Sequence, residues 1–200
     1  MTAAMLSDEQ VIEHTKAWVS SVVVGDNFCP FARKEVDNDT VRYCVARCMN
    51  EGSVGQEESA LENGLMALIA ECIKLDDDAE IETTIVIYPS GFSDFQGFLS
   101  LTEIANSLLA ANGYEGIYQL ASFHPEYCFA DSIGDDPANY TNRSPYPALH
   151  LIREESIERA LEGISNPERI PERNVRYARE KGLQRMREKL LACSIQQPAP

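Results

Sequence analysis

The stretch TTIVIYP, residues 83–89, is a continuous β-branched and aromatic run that ends at a proline. It offers no polar face to water, so it reads as a central strand buried on both sides, and such a strand needs a layer on each face of its sheet. The neighbouring segments can supply those layers. Upstream, Leu61, Leu65, Leu68, Ile69 and Cys72 recur at helical spacing and predict a helix over about 56–75, closed by the acidic turn DDDAE. Downstream, Phe95, Phe98, Leu99, Thr102, Ala105, Leu108 and Leu109 mark a helix over 94–111, with Asn112-Gly113 as its stop signal.

Further out, VRYCVARC (41–48) alternates as a strand, and IYQLASFHP (117–125) and ALHLIRE (148–154) read as two more. An amphipathic helix is predicted over 8–24 from Val11, Ile12, Thr15, Trp18, Val19, Val22 and Val23, with a Ser7/Gln10 capping box and Gly25 as its terminator. His14 falls on the surface or stripe edge of this helix. Residues 27–40 read as turn-rich. A helix over 155–164 is followed by another that restarts at Asn166-Pro167 and runs, with Gly182 inside it, to about Ala192. This order predicts an α/β fold, with α+β as the variant: one small mixed or partly parallel sheet of about four strands, helices on its faces, an N-terminal helix and a C-terminal helical extension. Two hundred residues fit a single domain over 1–200, with 1–6 and 194–200 as frayed tails.

Seventeen Lys and Arg against 32 Asp and Glu give a formal charge of −15. Such a chain repels phosphodiester backbones and anionic lipid, so neither nucleic acid nor a membrane surface is an expected partner. Ten of the 17 basic residues fall within 151–191, against eight acids. A small anionic ligand can therefore still be steered to a local basic spot near Arg143, Arg153 or the C-terminal helix; the plain alternative is a solvated surface with ordinary charge pairing. Six cysteines in a chain of this length with no secretory signal suggest a cytoplasmic protein with reduced thiols. No apolar run has the length of a membrane span.

Between the strands at 117–125 and 148–154 lie more than twenty residues with no helical or strand period. Loops of that length are functional or disordered, and Phe123, Tyr127, Phe129, Tyr140 and Tyr146 argue for burial and so for a site. His124 leaves a strand end, where a rigid sheet would orient a general base or a metal ligand; the alternative is a hydrogen bond that anchors the loop. His150 lies within a strand and can converge with His124 if the two strands pair. In NRSPYP, Pro145 and Pro147 stiffen the chain around Arg143, as a clamp for a carboxylate or phosphate requires; Arg143 can equally pair with Asp131, Asp135 or Asp136 and close the loop on itself. Asn142 and Tyr146 flank this clamp as substrate-binding candidates. Cys29 in CPFA is a nucleophile, a metal ligand or a small buried apolar group, with Arg33 or Lys34 as possible thiolate partners. Arg153-Glu154 reads as a structural ion pair. No nucleotide-binding, zinc-protease or hydrolase-elbow motif is present.

The segments CPFA (29–32), ETTIVIYP (82–89), ASFHPEYCFAD (121–131), NYTNRSPYPALHLIRE (139–154) and PERN (171–174) together resemble an uncharacterised bacterial family, the domain-of-unknown-function family numbered 1415. The resemblance implies a single-domain, soluble protein and carries no activity. The residues themselves lead to the expectation of a small-molecule enzyme acting on an anionic metabolite, with Cys29, His124 and His150 as catalytic groups and Arg143, Asn142 and Tyr146 binding substrate. Zinc, iron or copper at a Cys/His set is the metal-dependent variant. The alternative is a non-catalytic metal- or protein-binding module that uses the 124–147 loop. The oligomeric state is left open.

Overall fold

The computed structural model describes residues 6–48, 56–162 and 164–194. The tails expected to fray fall outside these residues, apart from Leu6 and Ser194. The continuous apolar run becomes β2 (Thr83–Ile87), and all five of its residues are buried. β1 (Val41–Val45) pairs with it in parallel, and β4 (Ala148–Arg153) pairs with its other side in antiparallel fashion. β3 (Tyr118–Phe123) pairs antiparallel with β4, giving an open mixed sheet in the order β1-β2-β4-β3.

Each face of the sheet carries its own core. On one face, α3 (Gln56–Asp77) and α4 (Phe95–Ala111) enclose Leu68, Cys72, Val86, Phe98, Leu149 and Leu151. On the other, α1 (Asp8–Trp18), α6 (Ile170–Lys181) and α7 (Leu183–Ala192) enclose Val11, Trp18, Ile85, Ile87, Ala178 and Met186. The strand alternation makes this possible: Val86 opposes Leu149 on the first face, and Ile85 opposes His150 on the second. Full burial of a leucine such as Leu149 is worth roughly 2 kcal/mol. A short α5 (Glu154–Leu161) follows β4 directly. No helix among the described residues is long and apolar enough to cross a membrane.

Local departures from the sequence reading have physical causes. The first helix begins with the expected reciprocal Ser7/Gln10 cap, but from Val19 to Val24 it widens into π-helix, where the Gly25 N–H reaches the Ser20 carbonyl. Gly25 is not the left-handed terminator, since its φ is −64°; that role falls to Asn27 at φ 55°. Gly25 serves instead for close approach, because a Cβ there would collide with the Ser21 carbonyl. The turn-rich segment contains a six-residue helix, α2 (Ala32–Asp37). Gly182 does not continue a helix: at φ 81° and ψ 157° it separates α6 from α7, a conformation open to glycine for want of a Cβ. Arg153 does not pair with Glu154 but donates to the carbonyls of Leu75, in the last turn of α3, and of Ile81, beyond its end, and it lies over the Tyr118 ring.

Candidate functional site

The carboxyl ends of β2 and β3 and the amino end of β4 lie side by side, since Ile87, Ala148 and Phe123 are in register. His124 follows β3 there and is 0% exposed, with its ring between Phe95 and Phe98. The Glu126 N–H donates to Nδ1 at 3.0 Å, so the hydrogen sits on Nε2, which donates to the Phe92 carbonyl at 2.9 Å. Both ring nitrogens are thereby engaged by backbone. Burial lowers the pKa of His124, so the neutral ring is favoured. Phe92 holds the other end of this bond at φ 57°, a left-handed conformation unusual for a bulky residue. His124 thus joins the loop after β2 to the loop after β3.

Arg143 closes the long loop on itself through backbone, not through its aspartates. Its Nε donates to the Tyr127 carbonyl at 3.1 Å and its Nη2 to the Gly134 carbonyl at 2.9 Å, while the guanidinium lies over Tyr140, 4.7 Å from the ring centre. The aspartates face the C-terminal helices: Asp136 meets Arg179 at 2.7 Å and Asp135 meets Arg187 at 3.7 Å. The hydrogen bond from Arg179 holds the Asp136 carboxyl at about 2. Fully buried Asn139 organises the interior of the loop, accepting from the Phe129 N–H and donating to the Ile133 carbonyl. Asn142 contributes its carbonyl to the His124 N–H and accepts from Thr141 through its side chain.

The block 143–146 is fastened to α1. Trp18 Nε1 donates to the Arg143 carbonyl at 2.9 Å, and the Trp18 ring meets Phe123 edge-on at 5.0 Å. One turn earlier, His14 Nδ1 lies 2.6 Å from the Tyr146 hydroxyl, with the two rings almost parallel. His14 is not on the helix surface: it is only 6% exposed, and its buried Nε2 has no hydrogen-bond partner among the described residues. His14 shares the stripe of Val11 and Trp18 at spacings of three and four, and this periodicity carried the signal for its burial. Burial also raises the Tyr146 pKa.

His150 and His124 do not converge. β4 does pair with β3, placing His150 opposite Ala121, but His150 lies on the α1 face beside Phe123 while His124 lies against α4. The Thr83 hydroxyl donates to the Leu151 carbonyl at 2.6 Å, so it accepts from His150 Nε2, also at 2.6 Å. His150 as a residue is half-buried, and the packed layer around its ring lowers its pKa to about 4.

Cys29 belongs to a different neighbourhood. Its turn is held by the last helices: Tyr177 and Lys189 reach Asp26, Arg173 donates to the Asn27 carbonyl, and Asn174 Nδ2 donates to the Phe28 carbonyl at 2.7 Å. PERN and the turn that leads into CPFA, far apart in sequence, are thus joined. Burial raises the Cys29 pKa above the ordinary thiol value, outweighing the backbone N–H groups of Phe31 and Ala32 that lower it. No hydrogen bond joins Cys29 to His124, Arg143 or His150 among the described residues. Nor do three or more His, Cys, Asp or Glu side chains there form a group able to hold a metal.

A family model described as a protein of unknown function (DUF1415) matches residues 10–188. No curated protein and no solved structure matches the chain.

Proposed function

Because the chain belongs to DUF1415, a family of unknown function, no activity passes to it from relatives, and we propose from its own side chains a small-molecule enzyme whose working pair is His14 and Tyr146. One observation carries this reading: a buried imidazole, 2.6 Å from a tyrosine hydroxyl, keeps its second nitrogen without a partner among the described residues. Leaving such a nitrogen buried and unpaired costs about 1–3 kcal/mol, which a ligand atom or a water can recover. If Tyr146 donates to Nδ1, Nε2 carries the hydrogen and is a donor. If Nδ1 donates to Tyr146, Nε2 is a base. The pair can therefore take or give a proton at one fixed position. Trp18 and Phe123 pack against each other beside it. In this reading His124 and Arg143 position the loop, and Cys29 takes no part.

The test is a thermal-shift screen of small carboxylates, phosphates and carbonyl compounds, followed by nitrogen NMR of the histidines. A genuine ligand stabilises the protein, moves the His14 Nε2 resonance and loses its effect in His14→Gln. Ligands that bind His14→Gln as tightly as the parent remove the proposal. A second reading rests on Ile133, which is 74% exposed on the 124–147 loop: a protein-docking module. It expects no small-molecule hit at His14, and partner binding that is lost in Ile133→Asp.

A further inference from the structure

A second feature lies on the C-terminal helical segment and stands apart from the His14–Tyr146 reading. Between α5 and α6 the surface folds into an open concavity of about 380 Å³, lined by Ser165, Asn166, Arg169, Glu172, Arg173 and Arg176. Three arginines thus line one hollow in a chain whose formal charge is −15. Other arginines of the chain are paired closely with carboxylates, Arg159 and Arg179 at 2.8 and 2.7 Å. Here the pairing is poor. Arg169 makes no side-chain hydrogen bond or ion pair among the described residues, and Arg176 lies 4.0 Å from Glu180. Arg173 is fixed by the Asn27 carbonyl and by Asn174 Oδ1 through Nε and Nη2, and its Nη1 makes no hydrogen bond among the described residues. Among the described residues, Glu172 is the single acid lining the hollow.

We propose that this concavity binds a small phosphate-bearing molecule, with Arg169, Arg173 and Arg176 as its oxyanion ligands. A guanidinium fork matches two oxygens of a phosphate, and three forks exceed what one carboxylate can occupy. Ser165 and Asn166 add neutral polar groups at the rim. The surrounding negative charge disfavours long polyanions, so the ligand is a small molecule. The volume lies within the range of metabolite sites. Arg173 has a structural duty as well, since it holds the turn that carries Cys29, and its rigidity presents a preset donor to the ligand.

Calorimetric titration of the intact chain with inorganic phosphate, pyrophosphate and citrate tests this. Pyrophosphate is expected to bind more tightly than phosphate, and more weakly as salt rises. Arg169→Ala/Arg176→Ala removes two guanidiniums whose one recorded contact among the described residues is the loose Arg176–Glu180 pair, and should lower pyrophosphate affinity by about tenfold or more. Glu172→Gln, which removes the opposing charge, should raise it. No pyrophosphate binding at low salt, or binding untouched by the double substitution, overturns the site. Citrate binding as tightly as pyrophosphate overturns its assignment to phosphate.

Discussion

Asn174, within α6, donates its side-chain amide to the Phe28 carbonyl at 2.7 Å across 146 residues of sequence. The bond is buried, and Tyr177 lies edge-on to the Phe28 ring at 5.8 Å. Asn174→Leu would keep the volume but strand the carbonyl, at a cost of about 1–3 kcal/mol. Urea unfolding should record that loss. The same substitution frees the turn beside Cys29, whose thiol burial holds above its ordinary pKa. Iodoacetamide labelling of Cys29, followed by mass spectrometry, is therefore expected to be slow in the parent protein and faster in Asn174→Leu. Equal rates would show that the helix does not shield the thiol.

His124 connects two loops through one ring, with Nε2 on the Phe92 carbonyl and Nδ1 on the Glu126 N–H. His124→Ala removes both bonds and leaves a hole between Phe95 and Phe98. Loss of the buried partners and the cavity together should cost about 3 kcal/mol. Circular dichroism melts measure the effect. A shift of only a degree or two would mean that the ring is not the structural link described.

The sheet was legible because TTIVI is β-branched throughout, and the helices because their stripes are regular. The pairing of β3 with β4 was inferable only as a possibility, since a long connection leaves register open. The site was harder to read. A histidine at a strand end suggests catalysis, but two backbone groups claim its nitrogens, and sequence does not show where backbone from remote loops goes. Arg143 posed the same difficulty, because its acceptors are the carbonyls of Tyr127 and Gly134, which every residue possesses. His14 was within reach, since its spacing from Val11 and Trp18 marks the buried stripe. The union of PERN with the turn before CPFA was not, because 146 residues separate Asn174 from Phe28 and no local pattern links them.

Gly25 sits at the end of the π-helical segment with ordinary helical φ, so alanine is conformationally allowed there. Its Cβ would nevertheless strike the Ser21 carbonyl, a backbone atom that cannot swing aside. Gly25→Ala should destabilise the protein by roughly 2 kcal/mol or more, as forced backbone shifts in packed regions do. Gly134→Ala is the control: a Cβ there would have nothing within 4 Å, and its effect should stay within about 0.5 kcal/mol. Chemical denaturation of both variants decides the matter, and equal stabilities would show that the wide turn relaxes freely.

His150 titrates at about 4 when folded, against 6.5 for an ordinary histidine, because burial disfavours the imidazolium. Below 6.5 the unfolded chain takes up a proton that the folded chain refuses, so stability is fully present above that pH and falls as pH drops toward about 4. The gap between the two values is worth at most roughly 3 kcal/mol, an upper bound because the residue is only half-buried. About 2 kcal/mol of it should be gone by about pH 5. His150→Gln can still donate to Thr83 but cannot titrate. Its urea midpoint should therefore fall less between about pH 7.5 and about pH 5 than that of the parent, with the carboxylates contributing alike to both. Parallel pH profiles for the two proteins would show that His150 is protonated in the folded state as readily as in the unfolded chain.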